Sequence, residues 1–153
     1  IIMKNLRAGF TLVELVVVIA ILGILVGITI PRFVNANMAA RGSKILADMN
    51  ACESAINIYY VKNGDYPLNT ENLVSSYMAN WPKPPLGSAL VKKNDNNDLI
   101  LDVQATNYDY IKPSGSELDI RVGRVTLGGM TIEQILSTSA TNLTLIDEDL
   151  LPF

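Results

Sequence analysis

The sequence predicts an α+β fold in which one long N-terminal α-helix carries a small antiparallel β-sheet head. Three observations predict it. Residues 10–30 form an apolar run long enough to cross a membrane, broken by a single charge, Glu14. Beyond Pro31 the apolar residues thin to one helical stripe, Ile45, Met49, Cys52, Ile56 and Tyr59, spaced by four, three, four and three. After Asn63-Gly64 the composition shifts to Asn, Asp, Ser, Thr, Gly and Pro, with short β-rich stretches between turn-formers. The apolar half of the helix is expected to stay exposed and the amphipathic half to pack on the sheet.

The elements follow in order. A helix over residues 10–62 would be about 80 Å long, its apolar part rising about 31 Å against a hydrocarbon core of ~30 Å. Two glycines, Gly23 and Gly27, weaken it, and Pro31 removes a backbone donor, so a kink is expected near Pro31. Gly23 and Gly27 also make a small-xxx-small step suited to close helix approach. Arg41, Lys44, Asp48 and Glu53 lie mostly off the apolar stripe, and Asn63-Gly64 supplies the stop. Gly64-Asp65-Tyr66-Pro67 reads as a turn. Asn69 or Thr70 can cap a short helix bearing Leu73, Val74, Tyr77 and Met78. Trp81-Pro82-Lys83-Pro84-Pro85 is extended and stiff, and Lys92 to Asp98 is a polar loop. Strands are expected at 99–103, 106–112 and 118–127. In the last, Leu118, Ile120 and Val122 share one face while Val125 and Leu127 take the other, which places a bulge or bend at Gly123. Thr131 with Gln134 forms a capping box for a helical turn over 132–136, and 142–146 makes a final edge strand.

Composition narrows the chemistry. Of 153 residues none is His, which removes the commonest general base and metal ligand. The single Cys52 excludes an intrachain disulfide and falls on the apolar stripe, where it reads as a core thiol rather than a redox group. Net charge is −3 and no basic cluster exceeds Lys92-Lys93, so nucleic acid is not an expected partner. No nucleophile–base pair or phosphate-cradling glycine loop is present, and an enzyme is not expected. The tyrosines near the end of the helix, Tyr59 and Tyr60, read as packing at the helix–head junction.

Glu14 is the residue that needs explaining. A carboxylate inside a bilayer costs a few kcal/mol unless paired, and no side-chain cation lies in residues 10–30. The residues leave three readings of the N-terminus open: an uncleaved signal anchor, a secretory signal peptide cut near Val34-Asn35-Ala36, or a cut between Gly9 and Phe10. The second fits poorly, because secretory apolar cores are usually about 7–15 residues long. The third creates a cation. The α-ammonium of Phe10 would lie about one turn from Glu14 in the same chain, or beside Glu14 of a neighbour in an offset stack.

Gly9-Phe10-Thr11-Leu12-Val13-Glu14, after the short basic stub Met3-Lys4-Asn5-Leu6-Arg7 and before the apolar run, resembles the class III prepilin signal of type IV pilins and type II secretion pseudopilins. Gly23, Pro31 and Gly64-Asp65-Tyr66-Pro67 fall where many of these proteins place them. The resemblance covers Lys4 to about Tyr60, with Met3 the expected start. It implies a pilin-like fold: a cleaved leader over residues 1–9, a helix over 10–62 with a membrane segment at 10–30, and a head over 63–153 with an αβ-loop and antiparallel sheet. It further implies that prepilin peptidase cuts after Gly9 and methylates Phe10, with Phe10 and Glu14 guiding assembly and Gly23, Gly27 and Pro31 permitting local melting. The implied partners are membrane lipid, an inner-membrane assembly platform with its ATPase, and further copies in a helical filament outside the cytoplasmic membrane. Some major pseudopilins bind calcium in the head. Asp95, Asn97, Asp98 and Asp102 are the candidate oxygens here, although their spacing matches no recognised calcium loop.

The expected role is a structural subunit of a type IV pilus-like filament serving adhesion, motility or DNA uptake. The alternative within the family is a type II secretion pseudopilin driving protein export. Outside it stand a single-span anchored binding domain and a secreted enzyme, the latter disfavoured by the missing catalytic set.

Overall fold

The structure is a computed structural model describing residues 9–113 and 123–147. The chain divides into two compact units, residues 1–36 and residues 37–153. Helix α1, Leu12–Asn63, contributes to both. Its N-terminal part is apolar on every side, and none of the apolar side chains from Leu12 to Val34 is buried. The helix is uninterrupted at Pro31, whose ring cannot donate to the Gly27 carbonyl four residues back. Asn63 ends the helix with its side-chain amide on the Tyr59 carbonyl (2.9 Å). Gly64 follows at φ +79° with its N–H on the Tyr60 carbonyl, the left-handed stop that glycine permits.

In the second unit, the part of α1 beyond Asn37 buries Gly42, Ile45, Met49, Cys52, Ala55 and Ile56. These are the predicted stripe positions from Ile45 to Ile56 with two small residues added, while Tyr59, the last predicted position, is half-buried against the core. Among the described residues the unit adds five strands and one short α-helix: β1 Gly87–Lys92, β2 Asp98–Val103, β3 Asp109–Ile111, β4 Arg124–Thr126, α2 Ile132–Ser137 and β5 Asn142–Leu145. They form a three-stranded sheet, β1-β2-β5, and a two-stranded sheet, β3-β4. In the larger sheet Ala89 faces Leu101 and Val91 faces Leu99 across an antiparallel pair. These side chains, with Val103 and Leu145, join the helix stripe in one core that also takes Leu73, Tyr108, Val125, Leu127 and Ile135. Burial of this alternate-residue face is what fixes the strand register.

Four differences from expectation have physical reasons. Strand β1 was not anticipated, because Gly87-Ser88-Ala89-Leu90-Val91-Lys92 has little β-propensity and gains its stability from pairing with β2. Strand β5 is the predicted edge strand but runs parallel to β2, so the sheet is mixed rather than purely antiparallel. The expected helix after Asn69 is a single 3₁₀ turn, Thr70–Asn72. Asn69 does cap it, with Asn72 reciprocating, but Ser75 at φ +76° ends helical propagation, and the Leu73 carbonyl accepts from both Tyr77 and Met78. The strand expected over 106–112 shortens to β3. The register change expected at Gly123 involves Leu118, Ile120 and Val122, which lie outside the described residues. Gly123 itself sits where a Cβ would come within 2.8 Å of Ile56 Cγ2 and 3.1 Å of Tyr66 and Tyr110, so glycine there permits close approach to α1.

Off-stripe charges on α1 also engage the head. Asp48 accepts from Lys44 (2.6 Å) and from the Tyr108 hydroxyl (3.3 Å). Glu53 accepts from the Val125 N–H (3.4 Å) and lies 3.8 Å from Arg124, which bonds Glu133 at 2.9 Å. The α2 box forms as read from sequence: Thr131 N–H donates to Gln134 Oε1 (2.8 Å) and Gln134 N–H to Thr131 Oγ1 (3.4 Å).

Candidate functional site

The candidate site is the start of α1. Gly9 and Phe10 precede the helix in non-regular backbone, and Phe10 is 83% exposed. A peptide bond held outside a helix is accessible to an extended-substrate cleft, whereas one inside the helical ladder is not. Thr11 occupies the N-cap position. Its N–H and hydroxyl donate to Glu14 Oε2 at 2.8 and 2.9 Å, and Glu14 N–H donates to Thr11 Oγ1 at 3.2 Å. This is a reciprocal capping box, Thr-x-x-Glu. The carboxylate therefore has an uncharged partner within its own chain. The spacing of Thr11 and Glu14, the same signal read correctly at Thr131 and Gln134, was sufficient to find it.

The helix beyond is an apolar surface. Its most apolar 18-residue window has a mean hydropathy of 2.9 with no residue buried, so this helix is long and apolar enough to cross a membrane. Leu12, Val13 and Ile24 are each about two-thirds exposed or more. A Cβ placed on Gly23 or Gly27 would meet nothing within 4 Å, leaving an open small-residue step one turn apart. Thr29 returns its hydroxyl to the Leu25 carbonyl (2.7 Å), hiding the only other polar side chain between Glu14 and Arg32. Gly42, which sequence reasoning missed, is a close-approach position: a Cβ there would overlap the Leu90 carbonyl of β1. Only the tertiary fold reveals that contact.

The calcium candidates are not brought together. Asp95 is absorbed by the N–H (3.0 Å) and side-chain amide (2.9 Å) of Asn97, bonds that hold its carboxyl below the usual range. Asp98 pairs with Lys92 (3.0 Å), and Asp102, four residues along β2, accepts from Gln104 (2.8 Å). Among the described residues no group of three or more Asp, Glu, Cys or His is placed to hold a metal ion. The donor set does not fit calcium, which takes about six to eight oxygens converging at ~2.3–2.6 Å.

A family model described as the prokaryotic N-terminal methylation motif matches residues 4–30, a span that holds Gly9, Phe10, Glu14 and the apolar run. The chain is 32% identical over 127 residues to the type IV major pilin protein PilE1 of Neisseria gonorrhoeae, covering 83% of this chain and 65% of that one. It is 31% identical over 107 residues to the type II secretion system core protein G of Escherichia coli K12, covering 70% of this chain and 73% of that one. A fimbrial protein of Neisseria meningitidis is 37% identical over 67 residues, 44% of this chain and 39% of that one. The chain thus spans less than two thirds of some of these relatives and nearly three quarters of others. No solved structure matches it. With the methylation motif at its N-terminus and relatives of both kinds extending well into the head, the chain belongs to the family of type IV pilins and type II secretion pseudopilins.

Proposed function

We propose that the chain is a structural subunit of a type IV pilus-like filament. Prepilin peptidase cuts it after Gly9 and methylates the new amine of Phe10. An assembly platform in the inner membrane then moves the apolar helix out of the lipid and into a homo-oligomeric helical filament serving adhesion, motility or DNA uptake. The observation that carries this reading is the wholly exposed apolar segment beginning at a non-helical Gly9-Phe10 junction. Such a surface needs lipid or other copies of itself to cover it. In the lone subunit Glu14 closes its own helix through Thr11. After the cut, the α-ammonium of Phe10 competes for the same carboxylate, and a neighbouring copy supplies that cation at a fixed axial offset.

The second reading is a type II secretion pseudopilin, favoured by the match covering 73% of the E. coli core protein G. Mass spectrometry of the mature N-terminus tests what both share: a chain beginning at methylated Phe10 is expected. One beginning at Met3 would support an uncleaved single-span anchor instead. Glu14→Ala is expected to be processed normally yet fail to grow filaments, and normal filament yield from it refutes the pairing. Long surface fibres on imaging favour the pilus, whereas lost protein export on deletion favours the pseudopilin.

A further inference from the structure

Among the described residues one charged side chain is buried, and it is a lysine. Lys93 follows β1 and its side chain is 4% exposed. An ammonium removed from water must find oxygen partners, because it carries three donors and no acceptor. Lys93 Nζ finds three oxygens. It donates to the backbone carbonyls of Thr138 and Ala140, both at 3.2 Å, and stands 3.7 Å from the Asp95 carboxylate. The carbonyls belong to the connection between α2 and β5, while Asp95 lies in the loop between β1 and β2. A backbone bond closes the same seam: Asn94 N–H donates to the Leu136 carbonyl (3.2 Å).

Two backbone carbonyls and one carboxylate are the ligand types a hard cation selects. They converge on a point that a tethered ammonium already fills. Calcium would need several more oxygens at shorter range, and the carboxylate of Asp98 is already paired with Lys92. We infer that the Lys93 ammonium is the head's built-in cation, joining the β1–β2 loop to the α2–β5 connection as a bound metal ion would, and that it frees the head's fold from any requirement for divalent cations.

Thermal unfolding of the full chain in detergent micelles, in EDTA and in millimolar calcium, tests this. The wild type is expected to show the same Tm in both. Lys93→Met keeps the alkyl length and removes the charge. Its Tm is expected to fall by roughly 5–15 °C, the scale set by losing charged hydrogen bonds in a domain of this size, and calcium should not restore it. Lys93→Ala vacates the position, and butylammonium, which reproduces the deleted side chain, is expected to raise its Tm while calcium leaves it unchanged. A wild-type Tm that rises with calcium overturns the inference. So does a Lys93→Met protein as stable as the wild type, or a Lys93→Ala protein that butylammonium does not stabilise. If neither variant folds, the wild-type comparison decides by itself: equal Tm values support the inference and a calcium-dependent Tm overturns it.

Discussion

The same substitution should have opposite signs at two points of one helix. In α1, Gly→Ala gains about 1 kcal/mol of helix propensity wherever the new methyl group has room. At Gly23 it has room, since nothing lies within 4 Å. At Gly42 the methyl would overlap the Leu90 carbonyl oxygen, lie 2.6 Å from its carbon and 3.0 Å from Val91 Cγ2. A strand's backbone carbonyl cannot swing aside as a side-chain tip can, so β1 must move and disturb Ala89 and Val91 in the core. Overpacking costs about 1–3 kcal/mol, and contact with backbone places Gly42→Ala near 3. Subtracting the propensity gain leaves a net loss of about 2 kcal/mol, or roughly 8–16 °C in Tm. Urea unfolding of the full chain in micelles, followed through the fluorescence of the single tryptophan, Trp81, reads the change where it occurs. Trp81 is anchored by its indole N–H on the Tyr108 carbonyl (2.8 Å), within the head. A Gly42→Ala midpoint equal to or above the wild type refutes the packing argument, as does a lowered midpoint for Gly23→Ala.

Two further outcomes follow from groups on the inner face of α1. Burial raises the Glu53 carboxyl above its ordinary value, with Glu133 adding to the rise and the Val125 N–H and Arg124 opposing it. A raised acid binds its proton more tightly in the folded state, so its contribution is present at low pH and is lost as pH climbs just past the ordinary Glu range. Glu53→Gln keeps an acceptor for Val125 and should flatten that decline in denaturant midpoints measured from pH 4 to pH 7; an unchanged slope contradicts it. The Cys52 thiol is pushed up to about 12 by burial and by Asp48 and Glu53. Iodoacetamide should therefore label it only as fast as the head unfolds, and rapid labelling of native protein would show that α1 does not seal against the sheet.

What could be read in advance was local or periodic. The stripe from Ile45 to Ile56 announces itself by helical spacing, and Thr131 with Gln134 by a four-residue pattern. Glu14 drew notice as an unpaired charge, although its first partner, Thr11, was visible in the same four residues. The features that escaped notice depend on chain segments distant in sequence. Gly42 is an ordinary helical glycine until β1 crosses it, and Gly87–Lys92 is a strand because β2 lies beside it. Lys93 looks like half of a solvated Lys92-Lys93 pair until the carbonyls of Thr138 and Ala140 arrive. The direction of β5 was equally hidden, since a four-residue strand carries no mark of its orientation.

That parallel strand also sets an order of events. The β1–β2 hairpin closes across five loop residues and can form early, whereas β5 must return to β2 from about forty residues downstream. The Lys93 contacts span 45 and 47 residues, so they mature with it. Contacts of such separation are slow to form, because loop-closure entropy is spent before they reward it. A chain still lacking its last strand would keep one edge of β2 unpaired, a template for pairing with another unfinished head. Strand β5 thus replaces the open six-residue edge of β2 with a shorter, four-residue edge of its own.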